Sequence, residues 1–204
     1  MKTKKLLRIA FISLFAAIIC IGSFLRLPLG PVPIVLQNAL CILTAMIFGG
    51  IYGCLPTVVF LLAGLVGLPV YSGGTSGISV WVGPTGGFLP GYLIGAAFAG
   101  IISGKSSVTE KKPSWKVILK LIIAAFVGMM ILYIPGLIHF AFWAKKVGGV
   151  PADKSTFVYT MSACFVPYIP GDLVKIFVIV PVALKARPLL AQYLYDEKKS
   201  DGKK

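Results

Sequence analysis

Phe165-Val166-Pro167-Tyr168-Ile169-Pro170-Gly171-Asp172-Leu173-Val174-Lys175 stands at the head of a long apolar run. The chain has six acidic residues, and five of them (Glu110, Asp153, Asp196, Glu197 and Asp201) lie in polar stretches or in the tail. Asp172 alone enters a predicted membrane helix, with Lys175 following it on the same apolar run. Positions i and i+3 share a helix face, so the two side chains can meet. A charge in lipid is costly, and an intramembrane Asp–Lys pair marks a functional site by default. A snorkelling or purely structural pair is the plainer alternative. Pro170 and Gly171 weigh against it, because they free backbone groups at the same point.

Working outward, the 204 residues are 57% hydrophobic, with a mean hydropathy of +0.92. A soluble domain of this size does not need so much apolar surface. The expectation is an all-α, multi-pass protein of the cell membrane, a single domain over residues 1–204. The formal charge of +14 raises nucleic acid as a partner, but its distribution argues for lipid instead. Lys2, Lys4, Lys5 and Arg8, then Lys105, Lys111, Lys112 and Lys116, then Lys198, Lys199, Lys203 and Lys204 flank apolar runs. Such clusters mark cytoplasmic ends. The N-terminus mimics a signal peptide, but its apolar stretch is too long and further spans follow, so it reads as an uncleaved first helix. The four cysteines sit in apolar surroundings without C-x-x-C spacing, and His139 is the single histidine. Neither a metal site nor a disulfide framework is expected, and no cofactor.

Six spans are expected, at about residues 6–25, 34–48, 51–66, 88–102, 117–134 and 171–184. The fifth is expected to continue past Pro135-Gly136 to Trp143 as a broken helix, and 156–168 is a further apolar segment. With both termini cytoplasmic, all three basic clusters fall inside. The Pro-rich break at 26–33, the segment 67–87 and the head of the sixth span then fall outside.

Two motifs need weighing. Ala99-Gly100-Ile101-Ile102-Ser103-Gly104-Lys105-Ser106 is a relaxed P-loop pattern. A working P-loop places its glycines before a helix N-terminus. Here they end a helix, where carbonyls repel phosphate. The chain therefore carries no visible energy source of its own. The stretch from Gly67 to Phe88 holds Tyr71, Gly73, Gly74, Gly77, Ser79, Trp81 and Gly83-Pro84-Thr85-Gly86-Gly87. Glycine at this density lets backbone approach a ligand, and Tyr71, Trp81, Phe88 and Tyr92 offer flat surface with polar handles. An interfacial loop with belt aromatics is the plainer alternative. Glycine hinges at Gly73, Gly74 and Gly77 make this segment a candidate gate. Gln37 and Asn38, in the first turn of the second span, are candidate ligand or helix-bridging amides. The repeat Gly91, Gly95, Ala99 points to close internal helix packing.

Pro33-Ile34-Val35-Leu36-Gln37, Leu68-Pro69-Val70-Tyr71, Gly83-Pro84-Thr85-Gly86-Gly87-Phe88 and Pro170-Gly171-Asp172-Leu173-Val174-Lys175, in that order, resemble the BioY family over about residues 12–184. That family provides the biotin-binding membrane subunits (S components) of energy-coupling factor, or ECF, transporters. The resemblance implies six helices, capture of biotin from outside, and a separate module of a coupling transmembrane protein and two ABC-type ATPases. It implies no enzymatic activity. Ser13 with Ala17, or Ala16 with Cys20, stand where the family's first helix often carries its Ala-x-x-x-Ala contact for the coupling protein.

On that reading Asp172 accepts from the ureido N–H groups and Lys175 donates to the ureido carbonyl, or Lys175 meets the carboxylate in the reverse pose. Trp81 and Tyr92 pack on the rings, and the Gly-rich segment with Ser72, Thr75, Ser76 and Ser79 meets the carboxylate. Other readings are an S component for another vitamin and a facilitator that works without ATPases. A small membrane enzyme is a third, poorly equipped with one histidine and one buried acid.

Overall fold

The computed structural model describes residues 2–27, 32–107 and 113–194. Part of the expected Pro-rich break, part of the inner basic loop and the C-terminal basic cluster lie outside those residues. The order is α1 (Lys2–Gly22), β1 (Arg26–Leu27), β2 (Ile34–Val35), α2 (Gln37–Phe48), a 3-10 turn (Ile51–Cys54), α3 (Leu55–Leu65), α4 (Ile78–Val82), α5 (Phe88–Ser103), α6 (Trp115–Lys146), α7 (Thr156–Cys164) and α8 (Ile169–Leu194). The two short strands pair antiparallel, Arg26 opposite Val35 and Leu27 opposite Ile34.

Among the described residues, two helices are long and apolar enough to cross a membrane: Lys5–Gly22 and Trp115–Lys146. The helices at Gln37–Phe48, Ile51–Leu65 and Phe88–Ser103 are apolar but shorter. At about 1.5 Å per residue, 12 residues of α2 reach only part of the way across a hydrocarbon core about 30 Å thick. The fifth expected span differs most. It is one helix of 32 residues with Pro135 inside it, where a break was expected. Proline costs one backbone bond, and packing against neighbouring helices makes that tolerable in membranes. Gly136 keeps the α6 backbone close to the ring of Phe88, so a side chain there would collide with it. The last helix is also longer than expected, 26 residues from Ile169, with Pro181 and Pro188 inside.

The tightest packing is between α5 and α6, where glycines bring backbone against backbone. A Cβ on Gly91 would strike Leu132 O, and one on Gly95 would strike Gly128 O. Ala99 Cβ lies 2.9 Å from the place a Cβ on Gly128 would take. The Gly91-Gly95-Ala99 repeat therefore serves internal packing.

At the other end of the molecule, α2 and α5 finish together. Gly49 and Gly104 have φ of 66° and 64°, and Gly50 N donates to Gly100 O at 2.7 Å. Both helices leave orphan carbonyls there. Arg187 of α8, 1% exposed, collects them. Its guanidinium donates to Met46 O, to Ser103 O at 3.2 Å, to Gly104 O at 3.3 Å and to Lys105 O at 3.2 Å. The carbonyls of the P-loop-like stretch thus face a cation, as a helix C-terminus should.

Removing that guanidinium strands several buried acceptors, each worth about 1–3 kcal/mol. Arg187→Met is therefore expected to lose about 2–4 kcal/mol, read as a lower unfolding temperature of the purified protein in detergent. Exposed Lys185 two residues earlier is the control. Lys185→Met should leave the transition in place, and equal transitions for the two variants would remove Arg187 from the list of structural determinants.

Candidate functional site

The site forms where the first turns of α2 and α8 face α6. Pro170-Gly171 opens α8, so Asp172 and Lys175 occupy successive turns of one face. Lys175 Nζ lies 2.8 Å from Asp172 Oδ1. Asn38 Nδ2 donates to the same oxygen at 3.1 Å, and Asn38 Oδ1 accepts from Lys175 Nζ at 3.0 Å. Tyr133 of α6 donates its hydroxyl to Asp172 Oδ2. Asp172 is 1% exposed, so its charge is held by one ammonium, one amide and one phenol from three helices. A buried carboxylate requires such partners. Aromatic rings wall the knot: Phe88 and Phe165 meet Tyr133 edge-on, with centroids 6.0 Å and 5.0 Å away.

Above the knot lies a cavity of about 530 Å³, within the ordinary range for small-molecule sites. Gln37, Asn38, Tyr71, Gly74, Ser79, Tyr92, Asp172 and Lys175 all line it. Ser72, Thr75, Ser76 and the Gly83-Pro84-Thr85 turn complete the outer wall. Trp81 and Gly73 stand outside the lining. Trp81 donates its indole N–H to Tyr71 Oη at 3.0 Å, so it braces the wall through Tyr71. Gly73 has φ of 73°, and a side chain there would collide with the Arg26 guanidinium.

The glycine-rich segment is anchored at its base. Tyr71 is fully buried and donates to Leu61 O at 2.6 Å, while its ring meets Phe60 edge-on. Burial raises the Tyr71 phenol above its ordinary value, and the hydrogen bond from Trp81 works against that rise. Gln37 Nε2 donates to Val70 O at 3.0 Å, Gly73 N to Ser23 O at 3.1 Å and Gly77 N to Gly64 O at 2.8 Å. His139 of α6 contacts Gly83 O through Nε2 at 2.9 Å and so holds the second turn. The Ser72 hydroxyl oxygen is buried with no hydrogen-bond partner among the described residues. No group of three or more His, Cys, Asp or Glu comes together among those residues.

Sequence reasoning did not single out Tyr133, Tyr168 or Arg26 as site residues, and all three line the cavity. Tyr168 donates to Val32 O. A tyrosine inside an apolar run carries no special signal, and Arg26 reads as part of a helix break. The usable clue for Arg26 was its isolation as the one cation on an outer loop otherwise made of Pro, Gly and apolar residues.

The chain is a helical protein with a buried charged knot under a cavity of small-molecule size, and one solved structure resembles its fold. "Crystal structure at 2.1 A of the S-component for biotin from an ECF-type ABC transporter" matches with a TM-score of 0.67, covering 92% of this chain and 94% of that one. Identity there is 24%, so the likeness is one of fold. The chain belongs to the BioY family, whose pattern matches residues 1–192. The biotin transporter BioY of Thermotoga maritima is 34% identical over 176 residues, 86% of this chain and 93% of that protein. The biotin transporter BioY of Rhodobacter capsulatus is 36% identical over 189 residues, 91% of this chain and 93% of that protein.

The geometry makes the knot a stability determinant in its own right. Lys175→Met leaves a buried carboxylate without its counter-charge and is expected to cost about 3–5 kcal/mol. Adding Asp172→Asn should recover part of that loss. Thermal unfolding of the single and double variants checks this, and a double variant less stable than Lys175→Met would contradict the stranded-charge account.

Proposed function

We propose that this chain is the biotin-binding S component of an ECF-type uptake transporter, a non-enzymatic protein energised by a separate coupling transmembrane protein and two ABC-type ATPases. It spans the cell membrane six times with both termini cytoplasmic and lies among lipid. The observation that carries the reading is the unused bonding capacity of the floor, in a chain of this family. Asp172 accepts three hydrogen bonds, and a carboxylate has about four acceptor sites. Lys175 uses two donors on Asn38 and Asp172 out of the three an ammonium offers. One acceptor and one donor side by side suit a ureido N–H and carbonyl.

Tyr92 and Tyr168, both buried cavity residues, flank the apolar bicycle. The valerate points outward, toward the glycine-rich wall. For the coupling protein, α1 offers a choice that exposure decides. Ser13 and Ala17 are exposed, whereas Ala16 is buried and Cys20 half-buried. The pair Ser13 and Ala17 therefore faces the partner.

Purified protein is expected to bind biotin one to one without nucleotide, measured by calorimetry. Heat with another vitamin and none with biotin would reassign the ligand, and a requirement for ATP would overturn the division of labour. Asp172→Asn should weaken biotin binding by about 2–5 kcal/mol, against little change for Asp153→Asn on an exposed loop.

The tip of the glycine-rich wall, between the anchored Gly73 and Gly77, closes over bound biotin, and the positive φ of Gly73, Gly74 and Gly77 marks where its backbone turns. Ser76→Cys is expected to react more slowly with a thiol reagent when biotin is present. Equal rates on a variant that binds biotin would make the segment a static wall.

A further inference from the structure

The charges of the cavity do not balance. Its lining holds two cations, Arg26 and Lys175, and one anion, Asp172. Lys175 and Asp172 neutralise each other at 2.8 Å, which leaves Arg26. The acids among the described residues are Asp153 and Asp172. Neither forms an ion pair with Arg26, and Asp172 already serves Lys175, Asn38 and Tyr133. The glycine-rich segment from 66 to 87, which Arg26 faces, contains no charged side chain.

Position and depth give Arg26 a definite task. Its backbone is fixed in β1 opposite Val35, three residues before Asn38. Its guanidinium lies against Gly73, whose missing Cβ makes the room. Arg26 is exposed while Asp172 is 1% exposed, so the cavity runs from a neutralised floor to a cationic mouth. Next to Gly73, Ser72 brings to the cavity a buried hydroxyl without a partner among the described residues. A planar guanidinium beside a hydroxyl donor suits a carboxylate, which accepts two parallel N–H bonds and one O–H bond.

We infer that Arg26 recognises the carboxylate of the ligand and makes the site selective for the free acid over neutral esters or amides of the same body. This rests on the reading of the ligand as biotin. It assigns the pose, with the ureido group on Asp172 and Lys175 and the acid at the mouth. Selectivity then comes from a residue outside the Pro-Gly-Asp-x-x-Lys element. A charge-assisted bond at a half-open mouth is worth less than one in a dry floor. The expected advantage of acid over ester is therefore about fivefold to tenfold, and it shrinks as salt screens the exposed cation.

The test is calorimetry on the purified full chain with biotin, biotin methyl ester and biotinamide, at low and high ionic strength, for the unaltered chain, Arg26→Gln and Arg26→Lys. The unaltered chain should prefer biotin, with the preference falling as salt rises. Arg26→Gln should bind ester and amide as before but lose most of the preference for the acid, and Arg26→Lys should restore part of it. An acid-to-ester ratio unchanged in Arg26→Gln overturns the assignment and returns the carboxylate to Lys175. If Arg26→Gln does not fold, the salt series on the unaltered chain decides alone, and a preference indifferent to salt overturns the proposal. A chain that binds none of the three compounds defeats the biotin reading itself, which is a different outcome from biotin binding without discrimination at Arg26.

Discussion

A buried carboxylate must be surrounded by donors, and Asp172 obtains them from three helices at once. Asn38 comes from α2, Tyr133 from α6 and Lys175 from α8 itself. None of these helices could shift without exposing a charge to an apolar interior, where it costs several kcal/mol. Register, rotation and crossing of the three are therefore set by one oxygen pair. The cavity above inherits its shape from that registration, because Tyr92, Leu132 and Tyr168 project from or beside the elements so fixed.

Helix α5 closes on its neighbours by a different physics. Where α5 meets α6, and where α2 meets α5, contact is backbone to backbone, made possible by Gly91, Gly95, Gly128 and Gly100. Lipid provides no hydrophobic drive for such contacts, so dispersion at short range supplies it. Charged groups thus determine where helices sit, and glycines determine how near they come.

Much of this was legible in the sequence, for a physical reason. A lone acid in an apolar run is improbable unless paired, so Asp172 and Lys175 stood out, and the amides Gln37 and Asn38 stood out nearly as well. Tyr133 did not, because a phenol is at home in an apolar helix and its partner lies 39 residues away. Trp81 was recognisable as an aromatic near the site, but which way it turned depended on the Tyr71 hydroxyl, a contact that no local pattern encodes. Pro135 was read as a break because proline removes a donor, whereas the helix runs through it under the packing of Phe88 on Gly136. Arg187 blends into the basic residues expected near a cytoplasmic end, and only the convergence of two helix termini distinguishes it.

Helix α8 is fastened at two depths, by Asp172 and Lys175 near one end and by Arg187 near the other. The two fastenings are separated by roughly 22 Å at about 1.5 Å per residue. A rod fixed at two points cannot slide like a piston, since either fastening would have to leave its partners. Both fastenings also grip α2, at Asn38 and at Met46. Locked to each other at both depths, α2 and α8 form a single stiff strut, to which α6 is held through Tyr133.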